Sequence, residues 1–402
     1  MESLKIAVFH NLPSGGAKRA LYGYVKYLSL SGHEVDVFIP STAEEEFLPL
    51  KNVANSVNEF PVENKMLKSI FPKLDYIPPL FQIYLKKIEN AEKEIAETIN
   101  SKNYDVVFSE QDQYTLSPYF LKYNKKPLAY YCPQPLRNDA ISKVIFQNKD
   151  TSISALAIRM GRNYFMNKGL KLDKNNASYA KYILTNSYFT HESILRAYGL
   201  NSFVSYLGID TELFKPIDVP EEDFVLSVGT CTPEKGYEFI VRSLAKIDAK
   251  TRPKFIIVSN SSFEPFRIYL EKLAKELEVK LEILRSINDE ELTLLYNKAA
   301  LVLYAPYLEP FGLVPIESMG CGTPIVGVKE GGVRESVVDG KTGLLLDRDE
   351  EIFASAILKL LNDESKRIRM GKESEKIIKK SWALEKAEKR LVWHLKRAMD
   401  LY

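Results

Sequence analysis

The sequence predicts an α/β protein made of two doubly wound halves, and three observations predict it. Short apolar runs alternate with helix-period stretches along the chain, the pattern of parallel βαβ units. At 402 residues the chain is too long for one core and suits two domains of ordinary size. A polar, Pro-containing stretch, Leu207-Gly208-Ile209-Asp210 through Pro216 to Pro220, interrupts the alternation just before a fresh strand and marks the boundary.

In the first half, strands are predicted at Lys5–Phe9, Glu34–Ile39, Asp105–Phe108, Leu128–Cys132 and Tyr182–Leu184. Helical stretches such as Ala17–Ser31 and Gln82–Ser101 lie between them. The second half repeats the rhythm with strands at Phe224–Val228, Phe255–Ser259, Leu281–Leu284, Ala300–Tyr304 and Ile325–Val328. Its helices are predicted at Gly236–Ile247, Glu264–Leu277, Asp289–Ala299 and Gly312–Met319, followed by a long helical tail from Glu350. In doubly wound sheets ligands sit at the carboxyl ends of the strands, so facing halves would share one cleft.

Composition narrows the function classes. With 45% hydrophobic and 27% charged residues the chain is globular rather than disordered or fibrous. A net charge of +2 gives no electrostatic footprint for nucleic acid. Cys132, Cys231 and Cys321 are far apart, odd in number and without a CxxC pair, which argues against a disulfide framework or a zinc site and fits a reducing cytosol. The N-terminal apolar run Leu4–Phe9 is too short for a secretory signal, and no run approaches the ~20 apolar residues of a membrane span. The expected location is cytoplasmic.

The richest phrase runs from Glu309-Pro310-Phe311-Gly312-Leu313-Val314-Pro315-Ile316-Glu317 to Met319-Gly320-Cys321-Gly322-Thr323-Pro324. It sets Glu309 in a loop after an apolar strand and Glu317 on the helix that follows. Pro315 suits the first turn, where its missing N–H costs little. The helix start offers backbone N–H groups over Phe311–Val314 to an anion or a sugar hydroxyl. Carboxylates accept hydrogen bonds from vicinal hydroxyls, so one acid could grip a sugar and the other a ribose. Taken singly, either acid also fits an ordinary helix-N-terminal carboxylate.

A second strand–loop–helix carries Gly229, Thr230, Lys235 and Gly236 in Ser227-Val228-Gly229-Thr230-Cys231-Thr232-Pro233-Glu234-Lys235-Gly236. The glycines permit a tight turn, and Lys235 could reach a diphosphate as a point charge; the Walker spacing is absent. A third such place is Gly15-Gly16, directly after the first strand, where backbone could approach a ligand closely. Lys18 and Arg19 follow and could be mere exposed helical charges. No DxD flanked by strand signals, no HExxH and no Cys/His cluster appears, so no metal site is predicted.

These phrases together resemble the retaining glycosyltransferases of family 4. Further matches are Leu12-Pro13-Ser14-Gly15-Gly16-Ala17, Leu184-Thr185-Asn186-Ser187, Tyr206-Leu207-Gly208-Ile209-Asp210, Gly331-Gly332-Val333-Arg334-Glu335 and Asp339-Gly340-Lys341-Thr342-Gly343. The C-terminal half matches more specifically than the N-terminal half. The resemblance implies the GT-B architecture: two Rossmann-like domains facing across a cleft. Residues 1–207 would form the acceptor-side domain and 208–383 the donor-binding domain, with a final helix, about 384–402, packing back on the first. It also implies transfer of a sugar from a nucleotide-diphosphate sugar to a hydroxyl of a glycan or lipid-linked acceptor, with retention and without metal or other cofactor. Lys235 would hold the diphosphate, Glu309 the transferred sugar and Glu317 the ribose. Gly15, Gly16, Gly229, Thr230, Phe311, Gly312 and Leu313 would line the donor site.

Two departures from the family pattern stand out. Thr230 occupies the place of an arginine that usually holds the pyrophosphate. In Tyr130-Tyr131-Cys132-Pro133-Gln134-Pro135-Leu136-Arg137, Pro133 or Gln134 falls where an imidazole is usual; Gln134 and Arg137 are then the acceptor-side candidates. Both losses keep open a non-catalytic GT-B subunit that binds a nucleotide sugar or supports a partner. A sugar-nucleotide epimerase fits the glutamate phrase poorly, and a glycoside hydrolase does not come with a lysine-bearing glycine loop. Two basic-plus-apolar segments, Lys65–Lys87 and Ile141–Asn175, could rest on an anionic membrane at the inner face of the cell membrane or be helices with solvated basic faces.

Overall fold

A parallel strand buried on both faces reads as an unbroken apolar run, and most strands of this chain do. The structure, a computed structural model, describes residues 3–62, 78–135 and 167–402. The described residues fall into two units: those up to Tyr206 together with Ala387–Tyr402, and Leu207–Lys386.

In the first unit, β1 (Lys5–Asn11), β2 (Glu34–Pro40), β3 (Ser56–Phe60), β4 (Val106–Asp112), β5 (Leu128–Tyr131), β6 (Ile183–Thr185) and β7 (Phe203–Val204) form one sheet. Its order is β3-β2-β1-β4-β5-β6-β7, every pairing parallel. Ile6 to Asn11 of β1 and all of β4 are buried, and Phe9 stacks on Phe120 with centroids 4.5 Å apart. The final helix, Leu384–Met399, is fastened within this unit. Tyr182 Oη lies 2.8 Å from His394 Nδ1, and Arg390 donates to the Tyr206 carbonyl at 3.1 Å.

The second unit repeats the plan with β8 (Glu222–Val228), β9 (Lys254–Val258), β10 (Leu281–Leu284), β11 (Ala299–Tyr304), β12 (Ile325–Val328) and β13 (Gly343–Leu346). The order is β10-β9-β8-β11-β12-β13, again all parallel. Each chain half begins in mid-sheet, winds outward, then returns to the other side. The order reverses between β1 and β4 in one unit and between β8 and β11 in the other. Loops leaving the carboxyl ends of two such strands diverge and open a crevice.

Strands β3, β7 and β13 were not predicted. β3 is a half-exposed edge strand, Ser-Val-Asn-Glu-Phe, too polar to announce itself, and β7 is two residues long. The helical tail from Glu350 is broken into Glu350–Leu361, Glu364–Ile377 and Leu384–Met399. The first break is a capping event: Asp363 leaves helical geometry and its side chain accepts from the Lys366 N–H, satisfying a donor at the next helix start. The second is a π turn at Ile378–Trp382 that ends at extended Ala383. Among the described residues no helix is long and apolar enough to cross a membrane. Most of the two basic-plus-apolar segments lies outside the described residues.

Candidate functional site

The reversal between β8 and β11 gathers the second unit's predicted residues. β8 runs into Gly229, whose carbonyl accepts from the Tyr237 hydroxyl at 3.0 Å, and then into exposed Thr230. Pro233–Lys235 makes a single 3-10 turn ending at Gly236, which has φ 71. A Cβ at Gly236 would overlap the Ala305 carbonyl oxygen, so only glycine lets this turn lie against the loop leaving β11. The Tyr307 N–H donates to the Glu234 carbonyl at 2.8 Å, joining the two loops directly.

That join brings lysine and glutamate together. Lys235 Nζ lies 2.9 Å from Glu309 Oε2, with the two side chains 25% and 26% exposed. Seventy-four residues apart in sequence, they meet because β8 and β11 are neighbours. Leu308, just before Glu309, adopts φ 51, a left-handed conformation that costs a residue with Cβ about 1 kcal/mol or more. From the β12 side, Gly331 and Gly332 press on this loop. A Cβ on Gly331 would overlap the Glu309 carbonyl and one on Gly332 the Pro310 carbonyl, and the Gly332 N–H donates to the Glu309 carbonyl at 2.9 Å.

The helix Leu313–Gly320 follows, with Gly312 as its N-cap at φ 89 and Pro315 in the first turn. Phe311 turns its ring into the interior, 1% exposed and 5.5 Å from the Trp382 ring, while Gly312 and Leu313 stay partly exposed. Glu317 also points inward. It is 3% exposed, and its Oε2 accepts from the Tyr296 hydroxyl at 2.9 Å. The structure thus pairs Lys235 with Glu309 and sets Glu317 in a separate, buried environment. Tyr304 spans the two: its phenol is held well above the usual range by burial first, then by the charges of Glu309, Tyr237 and Glu317.

One residue at this site gave no signal in the sequence. Arg348, in the loop after β13, donates from Nε and Nη2 to the two oxygens of Glu330, both at 2.9 Å. It also donates to the Ala305 carbonyl at 2.9 Å and the Pro306 carbonyl at 3.1 Å. A lone arginine between Asp347 and Asp349 reads as a solvated charge; only the fold reveals what surrounds it.

The remaining predicted residues belong to the first unit. Gly15 and Gly16 are exposed at the carboxyl end of β1, and Gly16 opens the helix Gly16–Leu30. Lys18 is not a surface charge: it is fully buried and paired with Glu45. Gln134 has an exposed side chain, and its carbonyl accepts from Gln111 Nε2 at 2.6 Å. Arg137 lies outside the described residues. Among those described, no group of three or more His, Cys, Asp or Glu side chains is gathered as for a metal ion, and all three cysteines are free and buried.

The family match falls on the second unit. The sequence model of the family described as glycosyl transferases group 1 matches residues 209–377. A D-inositol 3-phosphate glycosyltransferase of Corynebacterium efficiens is 33% identical over 171 residues, 40% of this chain and 39% of that protein. A probable sucrose-phosphate synthase of Thermosipho melanesiensis is 29% identical over 238 residues, 55% of each chain. The chain thus spans between two fifths and just over half the length of these curated relatives. Among solved structures, HepE of Anabaena, crystallised with UDP and glucose, superposes with a TM-score of 0.72 at 20% identity, covering 98% of this chain and 99% of that one. That likeness shows the fold, GT-B, over both units. The group 1 match is thus seated on the unit that carries Lys235 and Glu309.

Proposed function

We propose that the protein transfers a glycosyl group from a nucleoside-diphosphate sugar to a hydroxyl of a glycan or lipid-linked acceptor, with retention and without a metal ion. The observation that carries this reading is the Lys235–Glu309 contact at 2.9 Å, placed where the order of a doubly wound sheet reverses. A partly exposed ammonium beside a carboxylate offers both halves of a sugar diphosphate a partner: Lys235 the diphosphate, Glu309 the sugar hydroxyls. The relatives' printed activities, on inositol phosphate and in sucrose-phosphate synthesis, are both glycosyl transfers but differ in acceptor, so the acceptor is kept at the level of a hydroxyl.

In the reaction the acceptor oxygen attacks the anomeric carbon on the face the diphosphate leaves. The bond from that carbon to the diphosphate oxygen breaks, its electron pair goes to the diphosphate, and the acceptor proton passes to a diphosphate oxygen. Lys235 and the N–H groups at the start of Leu313–Gly320 stabilise the charge that develops there. Because Lys235 and Glu309 already satisfy each other, donor binding replaces one ion pair with contacts to phosphate and hydroxyl rather than desolvating two lone charges. Glu317, buried against the Tyr296 hydroxyl, serves the site by holding the helix Leu313–Gly320 in place.

Thr230 and the exposed Gln134 favour a second reading, a subunit that binds the donor and transfers nothing. A thermal-shift panel of nucleoside diphosphates and sugar nucleotides tests the shared part: binding to the native state adds about 2.7 kcal/mol of stability at a hundredfold excess over Kd and so raises the melting temperature. No shift with any member sinks both readings. Acceptor-dependent release of nucleoside diphosphate then separates enzyme from binder.

A further inference from the structure

We infer that Arg348 is a positioning residue for glycosyl transfer, a latch that fixes the Glu309 loop through Glu330 and the Ala305–Tyr307 backbone. The inference rests on the donor-site reading above and names a residue that reading did not need.

The geometry is a planar fork with every arm engaged. Nε and Nη2 meet the Glu330 carboxylate side-on, the bidentate arrangement that fixes orientation as well as distance. Nη1 and Nη2 also hold the Ala305 and Pro306 carbonyls, and the guanidinium lies 3.8 Å from the Tyr307 ring centroid. Arg348 is only 16% exposed at its side chain and Glu330 28%. Three strand exits therefore converge on one group: β11 through Ala305–Tyr307, β12 through Glu330, and β13 through Arg348 itself.

Both contacts lead to the lysine–glutamate pair. The Tyr307 N–H is bonded to the Glu234 carbonyl, one residue from Lys235. Gly331 and Gly332, next to Glu330, press on the Glu309 and Pro310 carbonyls. Moving Arg348 would release Glu309 from both sides: the loop before it and the glycines packed on it. Leu308 at φ 51 gives that loop a relaxed alternative to fall into once released. A lysine could keep the charge but not the fork, because its ammonium cannot meet a carboxylate and two carbonyls in one plane.

The test uses the whole chain with R348Q, R348K and E330Q, and two readouts. Hydrogen exchange without ligand should quicken at residues 305–311 in R348Q and E330Q, and less so in R348K. Turnover is read as nucleoside diphosphate released, to acceptor or water, from the sugar nucleotide giving wild type its largest thermal shift. R348Q should lose about tenfold to a hundredfold in kcat, the scale of a misplaced catalytic group, with KM for the donor changed by no more than about threefold. In a fourth variant, R348A, low concentrations of guanidinium should restore part of the kcat. Unchanged exchange at 305–311, or quickened exchange with wild-type kcat, overturns the inference. So does E330Q behaving as wild type while R348Q does not. If wild type shifts with no sugar nucleotide, the donor reading fails, and the exchange data still decide whether the latch exists.

Discussion

The two crevices of this molecule are built by the same winding and filled in opposite ways. At the β1/β4 reversal several polar side chains are tied to one another: Asn11 donates to Asp112, Thr42 donates to Asn11 at 3.0 Å, and Gln113 donates to Asn11 at 3.2 Å. The lysine just past its glycines, Lys18, is fully buried and paired with Glu45, and His10 Nε2 stands 3.2 Å from the same carboxylate. Burial holds the His10 imidazole down at about 4. For Glu45 burial works against ionisation, yet hydrogen bonds from His10 and Lys18 outweigh it and bring the carboxyl to about 2. At the β8/β11 reversal the same ingredients (glycine turn, lysine, carboxylate) leave Lys235 and Glu309 a quarter exposed. One cluster is a fastener, and the other remains open to a ligand.

The sharpest way to break that contrast is to remove each lysine. Lys235→Ala should cut kcat/KM by about a hundredfold to a thousandfold, as loss of a group facing developing charge does, with little change in melting temperature. Lys18→Met should instead cost about 3 kcal/mol in urea unfolding, because it strands a partly buried carboxylate. An unstable Lys235→Ala, or a stable but inactive Lys18→Met, would reverse the assignment of roles.

This contrast also marks what the sequence can say. The parallel α/β class was legible because buried strands are apolar runs, and the Glu309 phrase was legible because a glycine, a proline and two acids keep a fixed spacing. Side-chain direction was not. Lys18 looked like an exposed helical charge, and Glu317 looked like the equal of Glu309, because burial depends on strands far off in the chain. Arg348 was invisible for the same reason: its partners Ala305, Pro306 and Glu330 are brought to it by the order of the sheet.

The two glutamates offer a finer version of the comparison. Glu309 meets an ammonium at the surface, whereas Glu317 is buried against the Tyr296 hydroxyl. Tyr296→Phe should therefore destabilise the second unit by about 1–3 kcal/mol, the cost of taking a donor from a buried acceptor, measured by chemical denaturation. It should leave the Lys235–Glu309 pair, and hence nucleotide-induced thermal shifts, close to wild type. If nucleotide binding collapses while stability holds, Glu317 serves the ligand rather than the core.

The smallest expected effect sits in the first unit. Glu110 on β4 is 2% exposed, its Oε2 has no hydrogen-bond partner, and burial pushes its carboxyl well above the usual range. It is therefore neutral in the folded chain at pH values where the unfolded chain has ionised it. A raised folded pKa gives stability that is complete below the ordinary carboxylate range, near 4.3, and that declines as pH rises toward the folded value. Glu110→Gln removes this titration while keeping the shape. The variant should match wild type near pH 4 and gain on it toward pH 8 by about 1 kcal/mol, read as a widening gap in melting temperature. A gap that is flat with pH would mean that Glu110 finds a charged partner inside the fold, and the contrast between a closed first unit and an open second one would then lose one of its supports.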